Sequence, residues 1–242
     1  MPKVETILTP ALFHLYNQDL TEKNVVVTDI LRATTTMCVA FENQAREMIP
    51  VSTPEDALVW QQRGYLAAAE RSGVTVQGFE LGNSPQEYSK EKVGGQRIAI
   101  TTTNGTRALE MSKGAASVYV GAFRNVQALA EVLKKENRDV LLFCAGWKNK
   151  FNLEDTLYAG CLFQSLGADF VCADDATAAA VDLYNLASPD LAGYLQKANH
   201  VQRFQTLHIE SDLEVCLRMN TSTLVPRYIH GKIALYGHET MS

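Results

Sequence analysis

Short runs of β-branched and aliphatic residues alternate with helical stretches along most of this chain, and that alternation leaves few folds open. The candidate strands are Val25–Thr28, Glu47–Val51, Tyr65–Ala69, Gln96–Thr102, Ser117–Gly121 and Val140–Ala145. The candidate helices are Ala33–Asn43, Pro54–Gln62, Thr106–Lys113, Asn125–Glu136, Leu153–Ser165 and Asp174–Leu186. Strands that alternate with helices in this way predict a three-layer α/β/α architecture, a mostly parallel or mixed sheet covered by helices on both faces. Ser52-Thr53-Pro54-Glu55 marks a helix start, with proline in the first turn and an acidic residue just inside. The stretch from Ser188 to Thr223 has little strand character and predicts a small helical segment packed on the sheet. Lys232–Tyr236 predicts a final strand. No Pro/Gly/Ser-rich linker interrupts the 242 residues. We read one domain over residues 1–242, divisible at most into two packed halves of about 1–120 and 121–242.

Two of the strand-to-helix junctions are unusually polar. The apolar run Arg97-Ile98-Ala99-Ile100 stops in Thr101-Thr102-Thr103-Asn104-Gly105-Thr106-Arg107, and a helical pattern follows at once. Strand, small polar loop and helix can point backbone N–H groups at an anion. Glycine permits close approach, hydroxyls and the amide add hydrogen bonds, and a guanidinium forks onto a phosphate or sulfonate. Helix capping accounts for one or two of these residues but not for the whole run. Thr102, Thr103, Asn104, Gly105, Thr106 and Arg107 are therefore candidate binding residues. The second junction runs Val25-Val26-Val27-Thr28-Asp29, then Arg32-Ala33-Thr34-Thr35-Thr36. A carboxylate at the end of a strand suits Mg²⁺, which takes one or two carboxylates plus substrate oxygens, and ligands of open α/β sheets sit at that end. Asp29, Arg32, Thr34 and Thr35 join the candidate list. Alone, Asp29 and Arg32 would read as a cap and its surface counter-charge.

Three further spots are polar in the right places. Glu70, in Glu70-Arg71-Ser72-Gly73, follows a strand-like run and can add a carboxylate to the same rim. Asn83 and Ser84 end the loop Gly78-Phe79-Glu80-Leu81-Gly82-Asn83-Ser84-Pro85, whose plain reading is a turn and a cap. Glu154 and Asp155 open a helix, where acidic residues are favoured without any metal. Functionally, either can complete a metal site with Asp29 or act as a base toward water.

Several chemistries are excluded. The net charge of −5 argues against an extended nucleic-acid footprint. No apolar run reaches the ~20 residues of a membrane span, and the amino terminus lacks the basic and apolar regions of a secretory signal, so a cytoplasmic protein is expected. Cys38, Cys144, Cys161, Cys172 and Cys216 are widely spaced and form no C-x-x-C pair, which disfavours zinc and disulfides. No G-x-S-x-G, G-x-G-x-x-G or G-x-x-x-x-G-K-[ST] occurs. His14, His200, His208, His230 and His238 lie outside the polar loops and read as structural or solvated, which disfavours a phosphohistidine. Asp29 lacks the second aspartate two positions on that haloacid-dehalogenase-type phosphatases carry.

Asp29-Ile30-Leu31-Arg32-Ala33-Thr34-Thr35-Thr36, the 78–85 loop, Thr101 to Leu109, Cys144-Ala145-Gly146 and Leu153-Glu154-Asp155 with Ala159-Gly160 together resemble the 2-phosphosulfolactate phosphatase family. The resemblance runs in order from about residue 24 to 165 and continues more weakly through Asp212, Cys216 and Val225-Pro226. The family commonly has glycine where Ala69 stands and aspartate where Glu80 stands. The resemblance implies a Mg²⁺-dependent phosphoric monoester hydrolase that converts (R)-2-phospho-3-sulfolactate to 3-sulfolactate and phosphate, a step of coenzyme M biosynthesis. It agrees with the layered fold. On that basis Asp29, Arg32, Arg107, Glu154 and Asp155 are expected to be catalytic. Thr34, Thr35, Asn83, Ser84 and the 102–106 run are expected to bind substrate, and Asp29, Glu70 and Asp155 to hold the metal. A different small phosphorylated hydroxy acid as substrate, and a non-catalytic phospho-acid sensor, stay open. A homodimer is the default assembly.

Overall fold

A computed structural model describes residues 1–16 and 20–237. Its strands are β1 (Lys3–Ile7), β2 (Asn24–Thr28), β3 (Glu47–Pro50), β4 (Leu66–Arg71), β5 (Val74–Thr75), β6 (Arg97–Thr101), β7 (Ser117–Gly121), β8 (Val140–Cys144), β9 (Val171–Cys172), β10 (Pro226–Ile229) and β11 (Lys232–Leu235). Its helices are α1 (Ala33–Glu42), α2 (Pro54–Gln61), α3 (Lys90–Val93), α4 (Gly105–Met111), α5 (Val126–Glu136), α6 (Leu153–Leu166), α7 (Asp175–Ala187), α8 (Leu191–Leu195), α9 (Asn199–Leu207) and α10 (Ser211–Leu217).

The strands form one sheet in the order β5-β4-β6-β3-β11-β10-β7-β2-β8-β1-β9. It is mixed, within the α/β/α architecture that the alternation predicts. One parallel block is β4-β6-β3, with β5 antiparallel at its edge. The other is β7-β2-β8-β1-β9. The hairpin β10-β11 joins them, antiparallel to both β7 and β3. The two blocks therefore run in opposite senses along the sheet. Strand twist of about 20–25° per pair reverses much of that over the six pairs from β4 to β2. The carboxyl ends of β2, β4 and β6 can then face a common space.

The core follows from strand composition. β2 (NVVVT) and β8 (VLLFC) are buried along their whole length, as strands covered on both faces must be. Each fully buried Val or Leu contributes roughly 1.5–3 kcal/mol. α2 starts where the Thr53-Pro54 signal places it, with a capping box between Thr53 and Asp56. Close packing of α6 on α7 requires Gly160, since a Cβ there would lie 2.1 Å from the Ala180 carbonyl oxygen.

β5, β9 and β10 are strands that the sequence reading did not name, and three further features differ from it. β1 was not anticipated; Lys3 and Glu5 interrupt its apolar character, yet it pairs with β8 and β9. β4 extends through Glu70 and Arg71, two residues past the expected end. The segment after Ser188 is helical as expected, but α9 and α10 form a wall over the carboxyl ends of the strands. Cys38, Cys144, Cys161 and Cys216 are buried free thiols, and Cys172 is an exposed one.

Candidate functional site

The 29–36 junction is built from its own side chains. The Thr34 hydroxyl accepts from the Asp29 N–H (3.0 Å), Thr35 donates to the Ile30 carbonyl (2.9 Å), and Thr36 donates to the Asn83 carbonyl (2.7 Å). Thr34 and Thr35 are fully buried and do not line the cleft, so they shape the turn and are not placed to hold an anion. The Leu31–Arg32 peptide is cis. Asp29 emerges with one long contact to its carboxylate, from the Ala33 N–H at 3.4 Å. The first turn of α4 passes against it because residue 105 is glycine: a Cβ there would lie 3.0 Å from Asp29 Oδ2.

The 101–107 junction uses its hydroxyls differently. Thr102 and Thr106 cap each other, Thr102 Oγ1 accepting from the Thr106 N–H (3.2 Å) and Thr106 donating to the Thr102 carbonyl (3.0 Å). The Thr101 hydroxyl accepts from Arg71 (3.0 Å). Capping and bracing thus occupy most of the run. Thr103 and Asn104 remain at the cleft; the Thr103 N–H and hydroxyl both donate to Glu70 Oε2 (3.3 Å).

These junctions enclose a cavity of about 60 Å³ whose wall includes Asp29, Arg32, Glu70, Asn83, Thr103 and His200. Arg32 is 4 % exposed, and both its terminal nitrogens are engaged: Nη1 with Asp212 (2.6 Å), Nη2 with the Gly73 carbonyl (2.7 Å). Asp212 also accepts from Ser84 (2.7 Å) and Gln86 (2.9 Å), so Ser84 braces this pair and does not line the cavity. Phe204 lies beneath the guanidinium, 5.3 Å from ring centre to Cζ.

Two neighbouring carboxylates of α6 take separate tasks. Asp155 is fully buried, and both its oxygens are used. Oδ1 accepts from the Ile30 N–H (2.8 Å), and Oδ2 from the Gly146 N–H (3.1 Å) and Asn152 (2.8 Å). It ties the ends of β2 and β8 together and does not line the cavity, which departs from its expected place among the metal ligands. Glu154 accepts from Asn152 (3.0 Å) and lies 2.5 Å from His200 Nδ1. Burial, with Glu154 and Asp29 nearby, pushes the Asp155 carboxyl well above the usual range. Burial likewise raises Asp29 to about 6, partly offset by His200 and the Ala33 N–H. Burial opposes the charged form of His200, but the Glu154 hydrogen bond and charge outweigh it and raise its pKa.

Arg107 is exposed, bonded to Asn149 (2.8 Å), and does not line this cavity. It lines a separate cavity of about 410 Å³ with Ser52, Arg71, Thr106 and Glu110. The sequence reading missed His200, Trp147, Lys148, Arg203 and Phe204, which complete the smaller cavity. A signal was present: residues 200, 203, 204 and 207 recur at helical spacing and place a histidine, an arginine and two apolar side chains on one stripe of α9. His14, His208 and His230 do not line the cavity, and His238 lies outside the described residues.

The cavity's donor set suits a hard cation. Asp29 is under-bonded, Glu70 lines the same wall, and Asn83 Oδ1 is a buried acceptor with no hydrogen-bond partner. Among the described residues no three His, Cys, Asp or Glu side chains gather to cage a metal. Mg²⁺ needs no such cage, since it keeps waters and takes substrate oxygens. Asp29 and Glu70, with Asn83, could hold it.

The described residues contain no helix long and apolar enough to cross a membrane. Residues 8–231 match the family model described as 2-phosphosulpholactate phosphatase. A probable 2-phosphosulfolactate phosphatase of Caldanaerobacter subterraneus subsp. tengcongensis is 39% identical over 221 residues, covering 89% of this chain and 91% of that protein. Proteins with the same description from Symbiobacterium thermophilum and Thermotoga maritima are each 36% identical. The first spans 90% of this chain and 96% of its own, the second 88% and 92%. With that coverage, and with the quoted motifs lying inside the matched range, the chain belongs to the 2-phosphosulpholactate phosphatase family.

Proposed function

We propose that this protein is a Mg²⁺-dependent phosphomonoester hydrolase that releases phosphate from 2-phospho-3-sulfolactate. The observation that carries the reading is the convergence of Asp29, Glu70, Asn83, Arg32 and His200 on one small cavity in a chain of this family. Magnesium, when bound at Asp29 and Glu70, would offset charge on the phosphoryl oxygens. The chain's own groups do the rest. Arg32, held rigid by Asp212 and Gly73, presents fixed positive charge to the phosphoryl group without reorganising. Glu154 orients His200, and the raised imidazole pKa keeps a proton available for the ester oxygen as it leaves. Hydrolysis forms a P–O bond to the water oxygen and breaks the bond between phosphorus and the ester oxygen on C2; the His200 proton neutralises the departing alkoxide, and the proton lost by the water passes through solvent to restore the imidazolium. Phe204 and Trp147 line the cavity beside these groups.

The test is phosphate release from synthetic 2-phospho-3-sulfolactate with and without Mg²⁺, beside phospholactate, phosphoglycerate and an aryl phosphate. Metal-dependent release fastest from phosphosulfolactate supports the reading. Faster release from another phospho-acid moves the substrate while keeping the chemistry, and binding without release from any of them makes the protein a sensor.

A further inference from the structure

The cavity wall carries two cations besides Arg32. Arg32 is already paired with Asp212. Lys148 and Arg203 line the same wall, and neither joins an ion pair among the described residues. Both are held against one ring: Lys148 Nζ lies 5.1 Å and Arg203 Cζ 5.3 Å from the Trp147 centroid. An indole face attracts cations and limits where their heads can go. Arg203 is further fixed by donating to the Ser72 carbonyl.

The backbone adds a second observation. Trp147 and Lys150 exchange both N–H···O bonds at 3.0 Å, closing a two-residue turn. Its central residues, Lys148 and Asn149, have φ of 53° and 59°. Both central positions of such a turn favour asparagine or glycine. Asn149 conforms and Lys148 does not. Its amide is nonetheless anchored on Asn104 Oδ1 (3.3 Å), which fixes the turn against the cleft. A lysine where the backbone prefers asparagine points to a use for its side chain.

We propose that Lys148 and Arg203, mounted on Trp147, form the subsite that reads the second strong anion of the substrate, a sulfonate carried on the carbon next to the phosphorylated one. The assignment rests on the phosphosulfolactate reading above and deepens it. Asp29 and Glu70 serve the phosphoryl end, whereas the Trp147 platform serves the other end. A sulfonate stays anionic at every working pH and presents three oxygens, so it suits a flexible ammonium and a guanidinium together.

The experiment is calorimetric titration with the product 3-sulfolactate and with lactate, which lacks the sulfonate, on wild type, Lys148→Asn, Arg203→Gln and the double variant. Inorganic phosphate is the third probe. Wild type should bind sulfolactate at least about tenfold tighter than lactate, each single variant should cut that ratio several-fold, and the double variant should abolish it. Phosphate affinity should stay within about twofold throughout, because these side chains are assigned to the other end. Lys148→Asn relaxes the turn, so its melting temperature should hold or rise while discrimination falls. That pairing separates a binding role from a structural one. An unchanged ratio in the double variant overturns the proposal, as does an equal loss of phosphate and sulfolactate affinity or a wild type that does not discriminate. If wild type discriminates through these residues yet hydrolyses no phosphate ester, the subsite stands and the phosphatase reading falls.

Discussion

The junctions after β2 and β6 look like twins in sequence, each a strand end followed by threonines and an arginine, but they differ in where the arginine goes. After β2, the hydroxyls of Thr34, Thr35 and Thr36 hold the turn, and Arg32 is buried against Asp212 beside the cleft. After β6, Thr102 and Thr106 cap α4, and Arg107 points to solvent and Asn149. Residue type alone does not set the role. The difference lies in what packs over each loop: α10 supplies a buried carboxylate to Arg32, and nothing equivalent reaches Arg107 among the described residues. Hydroxyl-rich loops can therefore be structural throughout and still deliver one functional group.

Five substitutions test this contrast. Asp212→Ala should have the largest effect, because it leaves Arg32 charged, buried and unpaired; about 3–5 kcal/mol of stability should be lost in chemical denaturation. A loss below ~1 kcal/mol would mean that Arg32 is as free as Arg107. Asp29→Asn should raise stability. The folded carboxyl titrates near 6 and its ordinary value is 3.8, so Asp29 favours folding below about pH 4 and loses that contribution as pH rises through 6. The melting temperature of metal-free Asp29→Asn should match wild type near pH 4 and exceed it above pH 6, by at most about 3 kcal/mol in free energy. A variant less stable than wild type at pH 8 would contradict the burial argument. Arg107→Ala should lower kcat/KM for phosphosulfolactate less than about tenfold, against at least about a hundredfold for Arg32→Gln. Equal losses would erase the contrast. Thr102→Ala should cost about 1 kcal/mol as a lost cap, measured by thermal melting, with little change in KM.

Much of the scaffold was legible because periodicity and capping are local. The fully apolar runs at β2 and β8 and the Thr53-Pro54 start of α2 appear where the residues place them. β1 was hidden because Lys3 and Glu5 dilute a short strand whose burial depends on distant partners β8 and β9. The sheet's two opposed blocks were hidden too, since strand order is set by long-range pairing. At the site, Asp29, Arg32, Glu70, Asn83, Thr103 and Asn104 were named from sequence and do line the cavity. The far wall was not found: α9 joins Asp29 from 171 residues away, and His200 among polar neighbours resembles any surface histidine. Asp155 misled for the opposite reason, since a buried backbone brace and a metal ligand are written with the same residue.

The most direct test of the catalytic cleft compares phosphate release from 2-phospho-3-sulfolactate by wild type and Asp29→Asn, in Mg²⁺, with both shown to be folded. Asp29 is the under-bonded carboxylate of the site, so wild type should show metal-dependent turnover and the variant a loss of at least about a thousandfold. Turnover by folded Asp29→Asn at the wild-type rate, still stimulated by Mg²⁺, would contradict it.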